Sequence, residues 1–171
     1  MQRLSTAQED TLHGWVQAML PGLTVIWADQ DGERPELPFA TLDIIAGPRS
    51  TGPAEERWHA DDQFAYPMRK RATLSIQVHA VNTLVLAAQV ENALQLPTHQ
   101  ARWRVGGFGV WGNEPARDIT ALMDTRHEPR AVIDVFIAWA DEAIDTPGEI
   151  RKVRTVGAAD GVITDQTTEV Q

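Results

Sequence analysis

The chain has 171 residues, of which 43% are hydrophobic, so it is long enough to bury a core and fits a single domain. It contains no cysteine, which excludes disulfides, thiolate nucleophiles and sulfur-ligated metals and fits assembly in a reducing cytoplasm. Its 24 acidic residues outnumber its 15 basic ones, giving a net charge of −9, and this balance argues against sequence-specific binding of nucleic acid, which depends on basic contacts to phosphate.

The first predicted element is a helix that begins at Ser5 or Thr6. Gln8 or Glu9 follows three residues later, which is the spacing of a capping box. Pro21-Gly22 ends the helix. We expect its apolar face to pack on a sheet, and that face consists of Leu12, Trp15, Val16, Met19 and Leu20.

A polar connection between two β-prone runs comes next. Residues 25–28 and 39–45 are the two runs, and the connection between them contains Gly32, Pro35 and Pro38. Proline fixes its own φ and holds the preceding residue in an extended conformation, so the connection should be stiff and exposed. It carries no catalytic chemistry but suits a rigid contact surface.

The next two segments differ in their periodicity. Residues 47–67 combine glycine, proline and charge without a period, and we expect an extended loop or a projecting hairpin with a function of its own. Residues 72–80 alternate strictly between apolar and polar side chains, which predicts a half-buried strand. The buried face of that strand should contain Ala72, Leu74, Ile76, Val78 and Ala80.

A second helix is predicted from Asn82 to Pro97, since asparagine favours helix starts and proline follows helix ends. Its apolar side chains are Leu84, Val85, Ala88 and Leu94.

The remaining elements are predicted to be short strands at 101–105 and 108–111, a long strand at 131–140 and a last strand at 149–156.

These elements predict an α+β fold with a mainly antiparallel sheet packed against two principal α-helices. We expect residues 1–156 to form a single domain. Residues 157–171 have little to bury, so they should form a flexible tail or docking arm.

One stretch matches a cofactor-binding pattern by its letters. Gly107, Gly109 and Gly112 have the G-x-G-x-x-G spacing of dinucleotide-binding turns. That motif requires a helix after the third glycine, whereas residues 108–111 favour a strand. Glycines that relieve a tight or bulged strand are the better interpretation, and we predict no cofactor.

Metal ligands and catalytic groups are not predicted either. His59 is followed by Asp61 and Asp62, but a zinc or iron site needs further convergent ligands, and a solvated loop is the better interpretation. Asp29, Asp31 and Gly32 start like a calcium loop without its later ligands. The serines lie outside any nucleophile motif. The sequence therefore predicts no enzyme activity.

Arg130 and Asp134 frame the start of the long strand at 131–140. Asp134 interrupts apolar neighbours, and an unpaired buried charge is costly. Two interpretations stay open, a salt bridge inside the fold and a contact between subunits.

Several motifs together resemble the neck or tail-terminator proteins of tailed bacteriophages. They include the hydrophobic-Trp-Ala-Asp start at 26–29, the Arg-Pro-x-Leu-Pro centre at 34–38, the alternating strand after Arg71 and the helix from Asn82. The segment Glu-Pro-Arg-Ala-Val-Ile-Asp at 128–134 and the ending DTPGEIRKVRT at 145–155 complete the set. These matches span roughly residues 10–156 in the right order.

The resemblance implies a structural virion protein, assembled in the bacterial host cytoplasm and located in the tail or neck. Such proteins form a ring, usually hexameric, that caps the tail tube, stops its polymerisation and joins the tail to the head. The alternatives are another neck, head-completion or tube-like virion protein, and a small cytoplasmic enzyme or ligand-binding module.

The implied partners are other copies of the chain, the tail tube protein, a head-completion or connector protein and, in a sheathed tail, a sheath protein. Genomic DNA would pass through the lumen without specific binding. No membrane partner is expected, because no apolar run approaches the ~20 residues of a membrane-spanning helix. The predicted interface residues are Asp29, Asp31, Arg34, Arg49, Arg57, Arg69, Arg71, Arg130 and Asp134.

Overall fold

A computed structural model of the protein describes residues 4–28, 30–52, 56–60, 63–123, 126–146, 152–159 and 162–169. The helices are α1 (Thr6–Met19), α2 (Thr83–Gln95) and α3 (Pro97–Val105). The strands are β1 (Thr24–Trp27), β2 (Phe39–Ser50), β3 (Arg57–Ala60), β4 (Gln63–His79), β5 (Phe108–Asn113), β6 (Arg117–Asp118), β7 (Ala121–Met123), β8 (Arg126–Glu128), β9 (Arg130–Asp145), β10 (Lys152–Ala159) and β11 (Val162–Glu169).

The chain divides into two compact units. The first comprises Met1–Pro53 and Met68–Asp141, and the second comprises Ala54–Pro67 and Glu142–Gln171. The single domain predicted for residues 1–156 stays a prediction.

The first unit contains a sheet with the strand order β1-β2-β4-β9-β5, and β6 lies beside β9. β1 pairs with β2 in parallel, whereas β2–β4, β5–β9 and β6–β9 are antiparallel. The predicted α+β class and the mainly antiparallel sheet are confirmed. Three helices accompany the sheet among the described residues, where we predicted two principal ones.

Helix α1 begins as its sequence predicts. The backbone N–H of Gln8 donates to Ser5 Oγ at 3.4 Å, and the backbone N–H of Ser5 donates to Gln8 Oε1 at 2.9 Å, which completes the capping box. The predicted apolar face is buried and belongs to one hydrophobic cluster with the sheet residues Leu74, Ile76 and Val78. The predicted apolar faces of α1 and of the strand at 72–80 are therefore both confirmed.

The predicted strand at 101–105 is wrong, because these residues form the second half of α3. Pro97 occupies the first turn, where its missing N–H costs nothing and its φ suits a helix. Trp103 is buried, and its ring centroid lies 3.8 Å from that of Trp15 in α1 and 6.4 Å from that of Phe108 in β5. A single buried tryptophan between arginines fits a strand and a helix equally well, and tertiary packing decides between them.

Helix α2 occupies its predicted place but buries a different face. Leu84 and Val85 are exposed, and the side chain of Asn82 makes no capping hydrogen bond. The buried residues of α2 are Thr83, Ala87, Val90, Ala93 and Leu94. Of the predicted apolar side chains, Leu94 is therefore buried, whereas Leu84 and Val85 face solvent.

The second unit contains two antiparallel strand pairs. β3 pairs with the first residues of β4 within the segment 47–67, where we predicted a loop or hairpin. β10 pairs with β11 along their whole length, from Lys152 opposite Glu169 to Ala159 opposite Val162. Of the predicted last strand at 149–156, residues 149–151 lie outside the described residues. The docking role predicted for the C-terminal segment stays a prediction.

Candidate interface surfaces

The connection between β1 and β2 must run back over one face of the sheet. The two strands are parallel, with Thr24 opposite Phe39, so the chain returns to the level at which β1 began. Residues 30–34 line a cleft of about 410 Å³ together with Thr41, Gln77 and His79. Gln77 alternates with the core residues of β4, so this connection lies over the face of the sheet that is turned away from the core. We call residues 30–38 the crossover loop.

A shared carboxylate holds the crossover loop in place. Glu128 Oε1 accepts a hydrogen bond from His79 Nδ1 at 2.9 Å, another from Arg130 Nε at 3.2 Å and a third from Arg34 Nη2. His79 is buried and stacks on Phe39 with 4.3 Å between the ring centroids. The guanidinium of Arg34 lies 5.0 Å from the Phe39 centroid, which adds a cation–π contact. We call these five residues the Glu128 cluster.

The cluster sets the charges of its members. Hydrogen bonding from Arg34 in the first place, and then from His79 and Arg130, lowers the pKa of Glu128 to about 2 against the opposing effect of burial. Burial lowers the pKa of His79, although its hydrogen bond to Glu128 acts in the opposite direction. At neutral pH a neutral His79 therefore donates its Nδ1 proton to a charged carboxylate.

Acid should weaken this arrangement in two steps. An unfolded histidine takes up a proton near pH 6.5 and the folded His79 resists it, so its stabilising contribution falls as pH drops below 6.5. The contribution of Glu128 to stability falls at lower pH, between about pH 4.5 and about pH 2. We expect the melting temperature of His79→Gln to decline less steeply than that of the wild type between pH 7 and pH 5. Expressed as free energy of unfolding, the decline with pH should be steeper in the wild type than in the variant by at most about 1.4 kcal/mol per pH unit. Parallel slopes in thermal melts would contradict this assignment.

Asp134 forms a second ion pair. Its Oδ2 accepts from Arg117 Nη2 at 2.8 Å, and the same Arg117 nitrogen lies 3.3 Å from Glu114 Oε2. Asp134 is buried, and its Oδ1 has no hydrogen-bond partner among the described residues. The salt bridge inside the fold exists, with Arg117 rather than Arg130 as the partner. The predicted subunit contact at Asp134 stays a prediction.

A basic and aromatic surface lies on β2, β4, β9 and β5. Arg49 stands directly opposite Arg71 in the register of β2 and β4. Gly47 makes this register possible, because its φ is 89° and a Cβ there would lie 2.6 Å from the carbonyl oxygen of Arg71. The guanidinium of Arg71 lies 4.9 Å from the ring centroid of Trp111, which stacks on Phe136 at 4.9 Å. We call Arg49, Arg71, Trp111 and Phe136 the arginine–tryptophan patch.

The predicted interface residues thus fall into different places. Arg34 and Arg130 meet at Glu128, whereas Arg49 and Arg71 meet across a strand pair. Asp31, Arg57 and Arg69 are exposed, and Asp29 lies outside the described residues.

Sequence reasoning missed Glu128, His79, Trp111 and Arg117. His79 is 49 residues from Glu128 along the chain, so no local pattern could reveal the pair.

The glycine motif is part of a strand. Gly109 and Gly112 lie in β5, and the register with β9 shifts between Val110 and Gly112, as a bulge requires. The predicted bulged strand is confirmed. The residues that follow Gly112 continue through β5 to the short strand β6, so the third glycine opens no helix for a dinucleotide.

The described part of the chain contains neither a cluster of metal ligands nor a membrane-spanning helix. No three histidine, aspartate or glutamate side chains there converge as metal ligands do. None of the described helices combines the length and apolar character needed to cross a membrane. Asp61 and Asp62, which the sequence places near His59, lie outside the described residues.

Comparison with known proteins identifies the family. The family model described as "Phage neck terminator protein" matches residues 8–167, which is nearly the whole chain. The comparison with curated proteins yields no match. The chain therefore belongs to the phage neck terminator family and is a structural protein of the bacteriophage virion, located at the neck.

Proposed function

We propose that this protein forms a closed homo-oligomeric ring on the head-proximal end of the tail tube. The ring stops tube polymerisation and offers its other side to a head-completion or connector protein, and in a sheathed tail it also meets the sheath protein. The observation that carries this proposal is the family match over residues 8–167, whose description names a neck terminator. A hexameric ring is the form that we propose.

The sheet of the first unit supports a ring. β1 and β5 stand at the two ends of the strand order, so each has one side without a neighbouring strand among the described residues. Open strand edges are surfaces on which another chain can associate. Contacts between different surfaces of identical subunits close into a ring when the rotation per subunit allows it.

We propose different interface roles for the predicted residues. Arg34 and Arg130 position the crossover loop through Glu128. The pair of Asp134 and Arg117 fixes the chain between β6 and β9.

The exposed residues of the prediction are the ones that contact neighbouring subunits or the tube. They are Asp31, Arg49, Arg57, Arg69 and Arg71, to which the sequence adds Asp29.

The acidic balance of the chain fits the passage of DNA. With a net charge of −9, a lumen lined by carboxylates would repel the phosphate backbone and let DNA slide. The proposed interaction with genomic DNA is therefore passage without specific binding.

Exchanging Arg34 for glutamate tests the crossover loop. The variant places a second carboxylate beside Glu128, so the loop should leave its position, while the apolar core keeps the monomer folded. We expect the infectious titre of a phage that depends on the variant to fall at least 100-fold and the melting temperature to change by only a few degrees. The matched control is Asp10→Lys, a charge reversal at an exposed position of α1, which should support a normal titre.

Electron microscopy of the same lysates distinguishes the outcomes. Tails of uncontrolled length or heads without tails support the proposed role. Normal particles made with a folded Arg34→Glu protein would show that the crossover loop takes no part in assembly.

A further inference from the structure

The arginine–tryptophan patch carries positive charge that the described part of the chain does not neutralise. Arg49 and Arg71 stand directly opposite each other on neighbouring strands, and like charges in that relation destabilise a sheet. Among the described residues, neither guanidinium pairs with a carboxylate. An acidic group bound between the two would remove the repulsion.

The aromatic part of the patch is exposed for contact. Trp111 is 57% exposed on β5, the strand at one end of the order, and its ring contacts both Phe136 and Arg71. Tryptophan and arginine are enriched among the residues that dominate binding energy at protein interfaces. A rigid tryptophan beside two arginines therefore has the composition of a binding surface.

The crossover loop has the opposite charge. Asp31, Glu33 and Glu36 are exposed, and no cation pairs with any of them in the part of the chain that the structure describes. Arg34, the one basic residue in this loop, is occupied by Glu128 and Phe39. The Glu128 cluster thus removes the loop's positive charge from its outer surface and leaves three carboxylates.

The two surfaces are far apart within one chain. The crossover loop lies beside Thr41 and Gln77, whereas Arg71 lies six positions along β4 from Gln77, about 20 Å in an extended strand. Arg49 also lies ten positions along β2 from Phe39, about 30 Å in an extended strand. Each surface is therefore available to the complementary surface of another copy.

We propose that the acidic crossover loop of one copy docks on the arginine–tryptophan patch of the next copy. This inference rests on the proposed ring and names the two surfaces that meet in it. The contact is head-to-tail, because each copy contributes a different surface to each of its two neighbours, and such contacts generate closed rings. Asp31, Glu33 and Glu36 face Arg49 and Arg71, and Trp111 supplies the apolar centre.

The competing occupant of the patch is the phosphate backbone of DNA. The charge of the whole chain opposes that choice, since a protein with a net charge of −9 gains little from long-range attraction to DNA. The same chain provides an exposed acidic loop, which makes a second copy the better occupant.

A charge exchange between two variants tests the contact. Arg49→Glu with Arg71→Glu makes the patch acidic, and Glu33→Lys with Glu36→Lys makes the crossover loop basic. Each double variant alone would place like charges at every contact. An alternating mixture of the two would place opposite charges at every contact.

We expect each double variant alone to lower the titre of a phage lacking its own copy at least 100-fold. Co-expression of both should restore the titre to within 10-fold of the wild type. Thermal melts of the purified variants check that both are folded. A control pair that combines the acidic-patch variant with the same variant also carrying Asp10→Lys should not restore the titre, because every contact still places like charges together.

Three results would overturn the contact. Normal titre from either folded double variant would refute the contact between loop and patch without refuting the proposed ring. If the two folded double variants are co-expressed and the titre is not restored, the contact is likewise refuted. Duplex DNA binding by the wild type that the acidic patch abolishes, with no rescue by the mixture, would assign the patch to DNA. Wild-type tails that carry no ring of this chain in electron micrographs would instead refute the proposed function.

Discussion

Replacing Trp103 with alanine should lower the free energy of unfolding by about 3–5 kcal/mol, the usual cost of removing a large buried aromatic side chain. Trp103 is 3% exposed and packs between Trp15 and Phe108. The ring centroid of Phe108 lies 5.7 Å from that of Trp139. The substitution would leave a cavity where α1, α3, β5 and β9 meet. Chemical denaturation of the variant and the wild type measures the difference.

Trp111→Ala is the matched control for this substitution. The same side chain is removed, but Trp111 is 57% exposed and loses only its stacking on Phe136 and its cation–π contact with Arg71, so the cost should be about 1–2 kcal/mol. If both variants unfold at the wild-type denaturant concentration, Trp103 does not hold α3 on the sheet. If Trp111→Ala lowers the free energy of unfolding more than Trp103→Ala does, Trp111 rather than Trp103 is the buried residue.

Replacing Glu128 with alanine should cost about 1–3 kcal/mol, the penalty for leaving buried donors without an acceptor. His79 would lose the acceptor of its Nδ1 proton, and the crossover loop would lose the partner of Arg34. We therefore expect the variant to melt earlier and the loop to become more accessible. Amide hydrogen exchange in residues 30–38 should accelerate more than exchange in α1.

Two further carboxylate variants separate charge from shape. Glu128→Gln keeps an oxygen that can accept from His79 but loses the charge that binds Arg34 and Arg130, so it should lie between the wild type and the alanine variant. Glu114→Ala removes an exposed carboxylate that also pairs with an arginine, and it should change stability by less than about 1 kcal/mol. Equal melting temperatures for Glu128→Ala and Glu114→Ala would show that the Glu128 cluster does not stabilise the fold.

Much of the sheet could be predicted because its strands alternate over long stretches. The period of two at 72–80 and at 131–140 identified the faces that the core buries, including Ile76 and Ile133. The capping box at Ser5 located the start of α1 for a similarly local reason. Short segments carried less information, and α3 was missed because one buried tryptophan cannot define a period.

The candidate surfaces were predicted only in part. Arg34, Arg49, Arg71 and Arg130 are among the predicted interface residues, but the partners of these side chains depend on the tertiary fold. Glu128 reaches Arg34 across 94 residues of chain, so its role as their common acceptor has no local signal.

The length of tails made without this protein shows whether the chain ends tube growth. A phage whose gene for this chain carries an early stop codon should produce headless tails of widely varying length and heads without tails, because nothing ends tube growth. Supplying the wild-type chain should restore a single tail length and a closed ring at the head-proximal end. Complete particles with tails of normal, uniform length in the absence of the chain would contradict the account.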